Sequence, residues 1–575
     1  MTDKSRERNL EFLFYALAFG FALSLRLLRL GELPLGDDEA RWALQGLNLA
    51  KGLGPVIGPQ PAYVVLTGLV FFLFQASNFA ARLVPALFGA GLSLLPFSFR
   101  DRLGRKPAIV LAFIISFDPG FLALSRLAGG PILAISAALF AWAALRSGST
   151  RAAGIWVGVA LLSGPVLWPG LISLGIAYGL WRGFSGGAHS DSSSEPELPL
   201  LPMPSDRKTW LSLVAAAVGA YVILGSFFLI ASGGLSAGLA SIPEYFGGWL
   251  NFSNVPASRL LIGLTIYELT AVLLALVGLV RGILKQEQLV IALGFWLLIA
   301  LVFALIYPSR QFSDLGWALV PLLVLASIEL SRHISPIQNG KLETIGMAVF
   351  TVGILMFAVL NYFAIALVPL DQPALQLRWW ILLGAIGLLA ISLGMVAFGW
   401  SVPTAVQGGI WGTLSVLFIF ALATSMAAGG LRTYPTQEMW PSGPSTGQVD
   451  ILLAQMNDLS RWKTGVNSTL DVTLAGVDSP ALFWALRDWP VTALSDANLS
   501  GSAPALLIAS DQVLSAEIQS NYRGQDLSWS LSPMWDQGLF VDWMRWSILH
   551  EFPRNDEKII LWVRSDIFVD SQNSQ

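Results

Sequence analysis

The sequence has no cysteine in 575 residues, only three histidines, and a charged fraction of just 12%. The missing cysteines exclude structural disulfides, thiolate chemistry and Cys-ligated zinc or iron–sulfur sites. His189, His333 and His550 are far apart along the chain, which argues against a histidine-rich metal centre. An ordinary soluble domain is about a quarter charged, so water is not the main solvent of this chain. There is no basic stripe to support a nucleic-acid role. There is no internal repeat to suggest a two-fold transporter architecture.

What is present is apolar: 54% of the residues are hydrophobic and the mean hydropathy is +0.64. Runs that approach the roughly 20 residues needed to cross a bilayer core recur from Leu10 to Thr424 and then stop. This predicts a mostly α, polytopic membrane part over 1–428 and a water-soluble tail over 429–575. The tail holds 17 acidic and 9 basic residues, so the membrane part is net basic. The N-terminal run is long, has no small-residue cleavage site and is followed by further spans, as in an uncleaved signal anchor.

Positive residues beside spans stay cytoplasmic. With Lys4, Arg6 and Arg8 inside, the first span, about 10–30, exits the membrane and the segment from Gly31 lies outside. Arg100, Arg102, Arg105 and Lys106 form the next inside cluster, so an odd number of crossings separates the two. Ala62 to Phe74 is short for a span, and residues 31–80 read as a first external loop with interfacial helices. Later clusters at Arg146 and Arg151, Arg182 to Lys208, Arg281 and Lys285, and Arg332 to Lys341 then all fall inside. The expected topology has about 13 spans, a cytoplasmic N-terminus and an extracytoplasmic tail, in a multi-pass cell-membrane protein. Residues 183–208, rich in Ser, Pro and Gly, read as a flexible cytoplasmic loop.

In the tail, strand-like LDVTLAG, VTAL, ALLIAS and KIILWVRS alternate with helix-like SPALFWALRDW, predicting an α/β or α+β domain. Its many tryptophans read first as packing residues and second as sugar-stacking platforms.

The segment with chemical character is LRLLRLGELPLGDDEARWALQGLNLAKG, residues 25–52, where Asp37, Asp38 and Glu39 are followed by Arg41 and Trp42. Acids beside a membrane are often only solvated loop residues. Here they keep the company of Arg26, Arg29, Arg41, Arg82, Arg126 and Arg310, all on the outer side of this topology, against the positive-inside trend. A carboxylate can take a proton from an acceptor, and arginines can hold a phosphate leaving group through paired charge-assisted hydrogen bonds. For each arginine singly, snorkelling or a structural ion pair is an equal alternative.

The order Asp38-Glu39-Ala40-Arg41-Trp42, then GPQPAYVVLTGLVFFLF from Gly58, NFAARLVPALFGAGLSLL from Asn78 and FDPGFLALSRLAGGP from Phe117 resembles the GT-C glycosyltransferases. The resemblance is to the protein O-mannosyltransferase and aminoarabinose-transferase branch and covers roughly 10–330. It implies an inverting membrane enzyme that moves a sugar from a polyprenyl-phosphate donor in the bilayer to a glycan, lipid or protein acceptor at the outer face. By this resemblance Asp38 is the catalytic carboxylate, with Glu39 beside it and Asp37 an alternative. Arg41, Arg82 and Arg126 are donor-phosphate candidates; Tyr307, Arg310 and Gln60 are further substrate contacts. Asp314 reads equally as a helix cap, and Glu268 as a buried functional acid or an interfacial residue. Vicinal carboxylates also fit a Mg or Mn ion, although Asp-Glu beside Arg suits metal-free base catalysis as well. The chain departs from the pattern at Ala128-Gly129-Gly130, where many relatives have a second acid, and at Gln60 and Ser163-Gly164, where lysines are usual. Two other readings follow: a lipid-linked-sugar transporter or flippase, and a non-catalytic GT-C-like scaffold.

Overall fold

The structure is a computed structural model. It describes residues 3–54, 56–186, 206–253, 255–334, 340–368, 373–432, 437–441, 443–494, 503–510 and 521–568. Most of the expected loop at 183–208 lies outside these residues.

Helices fill the chain up to Ala428. Among the described residues eight are long and apolar enough to cross a membrane, or ten if two bent pairs each count as one span. That is fewer than the expected 13, and the reason is physical. Ile132–Arg146 and Thr150–Leu161 are apolar yet shorter than a bilayer is thick, and Ile132, Leu133, Ile135 and Leu139 are buried against protein. Hydropathy registers an apolar residue without telling lipid-facing from core positions. Ala374–Gly399 is the opposite case: Trp380, Leu383, Ile391 and Phe398 are all exposed, an apolar face that only lipid can cover.

Small residues set the closest helix crossings, as expected where lipid gives no hydrophobic drive between helices. On Val402–Ala428, a Cβ at Gly412 would lie 2.5 Å from Thr351 Cβ and 2.7 Å from the Ala348 carbonyl. On Thr150–Leu161, a Cβ at Gly158 would lie 2.6 Å from the Ala217 carbonyl.

Four helices position the candidate site: α1 (Asp3–Leu27), α2 (Asp37–Ala50), α3 (Pro61–Phe74) and α4 (Asn78–Gly91). Pro61 starts α3 at a position where a missing N–H costs nothing. After α4 the chain tightens into a 3-10 helix over Leu92–Phe99, which contains Pro96.

The tail is a mixed six-stranded sheet with helices, which is α+β in character. Its strands are β1 (Ser445–Thr446), β2 (Val472–Ala475), β3 (Val491–Leu494), β4 (Leu506–Ser510), β5 (Tyr522–Pro533) and β6 (Arg554–Arg564), in the order β1-β5-β6-β4-β2-β3. β2 pairs in parallel with β3 and β4, and the other pairs are antiparallel. Central β2 and β4 are apolar and almost wholly buried, as strands covered on both faces must be. Tryptophan serves packing: Trp484, Trp529 and Trp546 are buried, and each indole N–H has an acceptor, in Asn78, Ser479 and the Gln437 carbonyl.

The tail docks on the membrane part at two places. α2 lies against the short helix Pro480–Ala485. Phe540–Leu549 packs on Lys341–Leu367, with Tyr362 Oη and Ser547 Oγ 3.0 Å apart. Near the second contact, Tyr267 donates to Glu438 at 2.6 Å, and the fully buried His550 places Nδ1 3.1 Å from the same carboxylate.

Candidate active site

Gly36 caps α2, and Asp37, Asp38 and Glu39 occupy its first turn, where the helix dipole and free backbone N–H groups favour negative charge. Successive helical residues point about 100° apart, so the three carboxylates face three different environments.

Asp37 faces the tail. Its Oδ1 accepts from Ser479 Oγ at 2.6 Å and from the Ala481 N–H at 2.9 Å, so it also caps the helix Pro480–Ala485. Glu39 faces α4. Arg82 forks onto it with Nε to Oε1 at 2.8 Å and Nη2 to Oε2 at 2.6 Å, and only 7% and 12% of the two side chains is exposed. Glu39 also accepts the Ala128 N–H at 2.8 Å and reaches back to the Gly36 N–H at 3.3 Å. Both acids are therefore engaged by protein donors, Glu39 through both oxygens and Asp37 through Oδ1. Asp38 lies between them and is not: its nearest cation is Arg41 one turn on, with Nη2–Oδ1 3.9 Å, and both side chains are well exposed at 42% and 59%. Gly443 of the tail lies against it, where a Cβ would be 3.6 Å from Asp38 Oδ2.

Arg82 and Arg126, expected as donor-phosphate ligands, are engaged by protein groups in this structure. Besides Glu39, Arg82 donates to the carbonyls of Leu30, Leu33 and Pro34, fastening the loop between α1 and α2 to α4. Arg126 Nη1 donates to the carbonyls of Leu25, Arg26 and Leu28 at 2.8–2.9 Å and so terminates α1. Burial pulls its pKa down to about 10, with the positive Arg82 next in effect, which still leaves it cationic at neutral pH. Arg29 pairs with Glu32 at 2.5 Å. Arg26 is fully buried and donates to the carbonyls of Ala22, Ile115 and Ser116. Arg41 is the expected phosphate ligand whose side chain stays open.

The departures from the family pattern fit together in space. Ala128-Gly129-Gly130, where a second acid is usual, supplies the N–H that Glu39 accepts. Gly129 has φ +74°, and a Cβ there would lie 2.5 Å from Trp42, so the turn excludes a side chain of any kind. Gln60 and Gly164 are neighbours, since a Cβ at Gly164 would lie 2.8 Å from Gln60 Cγ. The two usual lysines are thus absent from one spot. Gln60 Oε1 is buried there without a hydrogen-bond partner among the described residues.

No protein-family model matches the chain, and no curated protein matches it. Solved structures do. ArnT from Cupriavidus metallidurans bound to undecaprenyl phosphate is 15% identical, with a TM-score of 0.53 over 96% of this chain and 98% of that one. The apo state of the same protein is 16% identical, with a TM-score of 0.52 over 98% and 99%. At this identity the likeness is one of fold: the chain shares the fold of ArnT.

Within this fold, Tyr307 and Arg310 form a second cluster. Tyr307 donates to the Tyr245 carbonyl at 3.0 Å, stacks on that ring and meets Trp249 edge-on. Arg310 Nη1 donates to the Val255 carbonyl at 3.0 Å, and its Nε is buried without a partner among the described residues. Among the described residues no hydrogen bond or ion pair links either residue to the acids of α2. Asp314 takes the capping role, accepting the Gln311 N–H at 2.9 Å. Glu268 is buried at a 91° break between Ala257–Tyr267 and Leu269–Leu284. It accepts the Gly120 N–H at 3.2 Å beside Asp118, which caps Pro119–Ser125 at another bend, so this acid pair staples two broken helices of the helical core.

Sequence reasoning missed Ser479, Ala481 and Gly443. They lie more than 400 residues from α2 along the chain, and no local pattern marks them. Among the described residues no group of three or more His, Cys, Asp or Glu side chains is placed to hold a metal ion.

Proposed function

We propose that the protein is a membrane glycosyltransferase that moves a sugar from a polyprenyl-phosphate carrier to an acceptor at the outer face of the membrane. Its N-terminus is then cytoplasmic, and α2 and the tail are extracytoplasmic. The observation carrying this reading is the division of labour in the first turn of α2. Two acids are fixed by short hydrogen bonds from Arg82, Ser479 and backbone amides, and they hold the third, Asp38, open beside Arg41. A carboxylate held rigidly yet left without a strong donor is what a general base requires. The shared fold with ArnT, which was solved with undecaprenyl phosphate, supports the class of donor.

In this mechanism Asp38 takes the proton of an acceptor hydroxyl or amine as it attacks the anomeric carbon of the sugar. The new bond forms as the bond from that carbon to the phosphate oxygen breaks, and polyprenyl phosphate leaves with the electron pair. A single in-line displacement inverts the anomeric centre. Arg41 stabilises the charge growing on the phosphate, and Gln60 offers a polar contact nearby. The non-catalytic scaffold reading has one specific observation in its favour: the Gln60–Gly164 contact replaces both usual lysines.

The test is transfer by the purified full-length protein in lipid nanodiscs, assayed with a panel of polyprenyl-phosphate sugars. Asp38→Asn is expected to abolish transfer with an unchanged melting temperature. Full activity in that variant excludes Asp38 as the base. Inactivity of the wild type with every donor favours the scaffold.

A further inference from the structure

A small cavity of about 70 Å³ lies inside the membrane part, away from α2, between Leu92–Phe99, Ile132–Arg146 and Gln288–Ile306. Its walls are apolar side chains such as Leu92, Phe99, Leu139 and Leu293, and its single charged lining residue is Arg102. Arg82 and Arg102 stand near opposite ends of one candidate span, Asn78–Leu103. Twenty residues of helix separate them, roughly 30 Å at 1.5 Å per residue, which is about the thickness of the hydrocarbon core. Arg102 therefore puts its side of the cavity at the end of the span opposite the candidate active site.

Two features of the lining are unsatisfied. Arg102 is exposed and has no ion-pair or hydrogen-bond partner among the described residues, and the same holds for Lys106 on the following helix. Trp296 is buried, lines the cavity, and its indole N–H has no acceptor. A buried N–H without an acceptor is costly and uncommon. An apolar cavity with one exposed cation in its lining, a second cation four residues on, and one hydrogen-bond donor in its wall matches a lipid of defined chemistry.

We propose that the cavity binds one anionic phospholipid. An acyl chain fills it, the phosphate lies against Arg102 and Lys106, and the ester carbonyl accepts from Trp296 Nε1. The carbonyl separates this ligand from a polyprenyl phosphate, which has a phosphate and a long apolar chain but no ester. Such a lipid would brace the span carrying Arg82 from its far end.

The experiment is native mass spectrometry of the full chain in mild detergent, titrated separately with phosphatidylglycerol, phosphatidylcholine and undecaprenyl phosphate. One phosphatidylglycerol is expected to be retained in preference to phosphatidylcholine. Removing one cation with Arg102→Gln, an exposed position whose change leaves packing alone, should weaken retention about fivefold. Brominated-chain phosphatidylglycerol, imaged by cryo-electron microscopy, should place bromine density between Leu139 and Leu293. Equal retention of both phospholipids, an unchanged Arg102→Gln variant, or bromine density elsewhere overturns the proposal. Preferential, Arg102-dependent retention of undecaprenyl phosphate also overturns it and gives the cavity to the donor carrier.

Discussion

Glu39→Gln and Asp38→Asn each exchange one carboxylate for an amide of the same shape, on adjacent residues of one helical turn, yet they should fail in opposite ways. Glu39 is almost buried and paired by two short bonds to an Arg82 that is itself 7% exposed. Removing one charge from such a pair leaves the other buried and uncompensated, which costs about 3–5 kcal/mol. The double variant Glu39→Gln with Arg82→Met removes that stranded charge but orphans the carbonyls of Leu30, Leu33 and Pro34. At about 1 kcal/mol or more for each unsatisfied group, it should remain destabilised, though by less than the sum of the single variants. Asp38 has only a half-exposed contact at 3.9 Å, a surface pair contributing about 0–1 kcal/mol, so Asp38→Asn should melt with the wild type while losing transfer. The assay is thermal unfolding of the purified variants followed by tryptophan fluorescence, alongside transfer activity. If Glu39→Gln is as stable as the wild type, or Asp38→Asn is as unstable as Glu39→Gln, the assignment of one acid to structure and the other to chemistry is wrong.

Asp37→Ala removes the acceptor of Ser479 Oγ and the Ala481 N–H, with an expected loss of about 2 kcal/mol; faster hydrogen exchange over 479–485 would register it, and unchanged exchange would refute the clamp. Gly129→Ala forces a side chain into φ +74° and against Trp42, costing about 1–2 kcal/mol for the backbone and about 1–3 for the clash. Adding Trp42→Ala should restore only the second part of the lost melting temperature. Gly412→Leu should part Val402–Ala428 from Lys341–Leu367, where Thr351 leaves no room for a Cβ, and lower the thermal midpoint, whereas Gly387→Leu, with open space around it, should not.

The membrane character, the change to a polar tail and four of the tail's strands were legible because they depend on local composition and period. LDVTLAG, VTAL, ALLIAS and KIILWVRS all contain strands of the sheet. The long β5 escaped notice because its Ser-rich, half-exposed sequence does not alternate cleanly. Ile132–Arg146 is as apolar as a lipid-facing helix although much of it is buried against protein, a difference that composition does not record. In the acidic turn, the residue types were readable and their roles were not. Asp37-Asp38-Glu39 contains three similar acids in a row, and nothing local distinguishes them.

The sequence by itself determined that this chain lives in a bilayer and where its acids and arginines lie along it, because solvent preference acts over a few residues; that α2 begins at the Asp-Asp-Glu run came from the structure. Tertiary structure alone decided which acid is free. Arg82 arrives from α4, Ala128 from the turn after Pro119–Ser125, and Ser479 from the tail, and each hydrogen bond depends on a position within a few tenths of an ångström that only the packed whole can fix. Arg82 and Arg126 therefore became braces, and Asp38 was left open by what its neighbours had already bound.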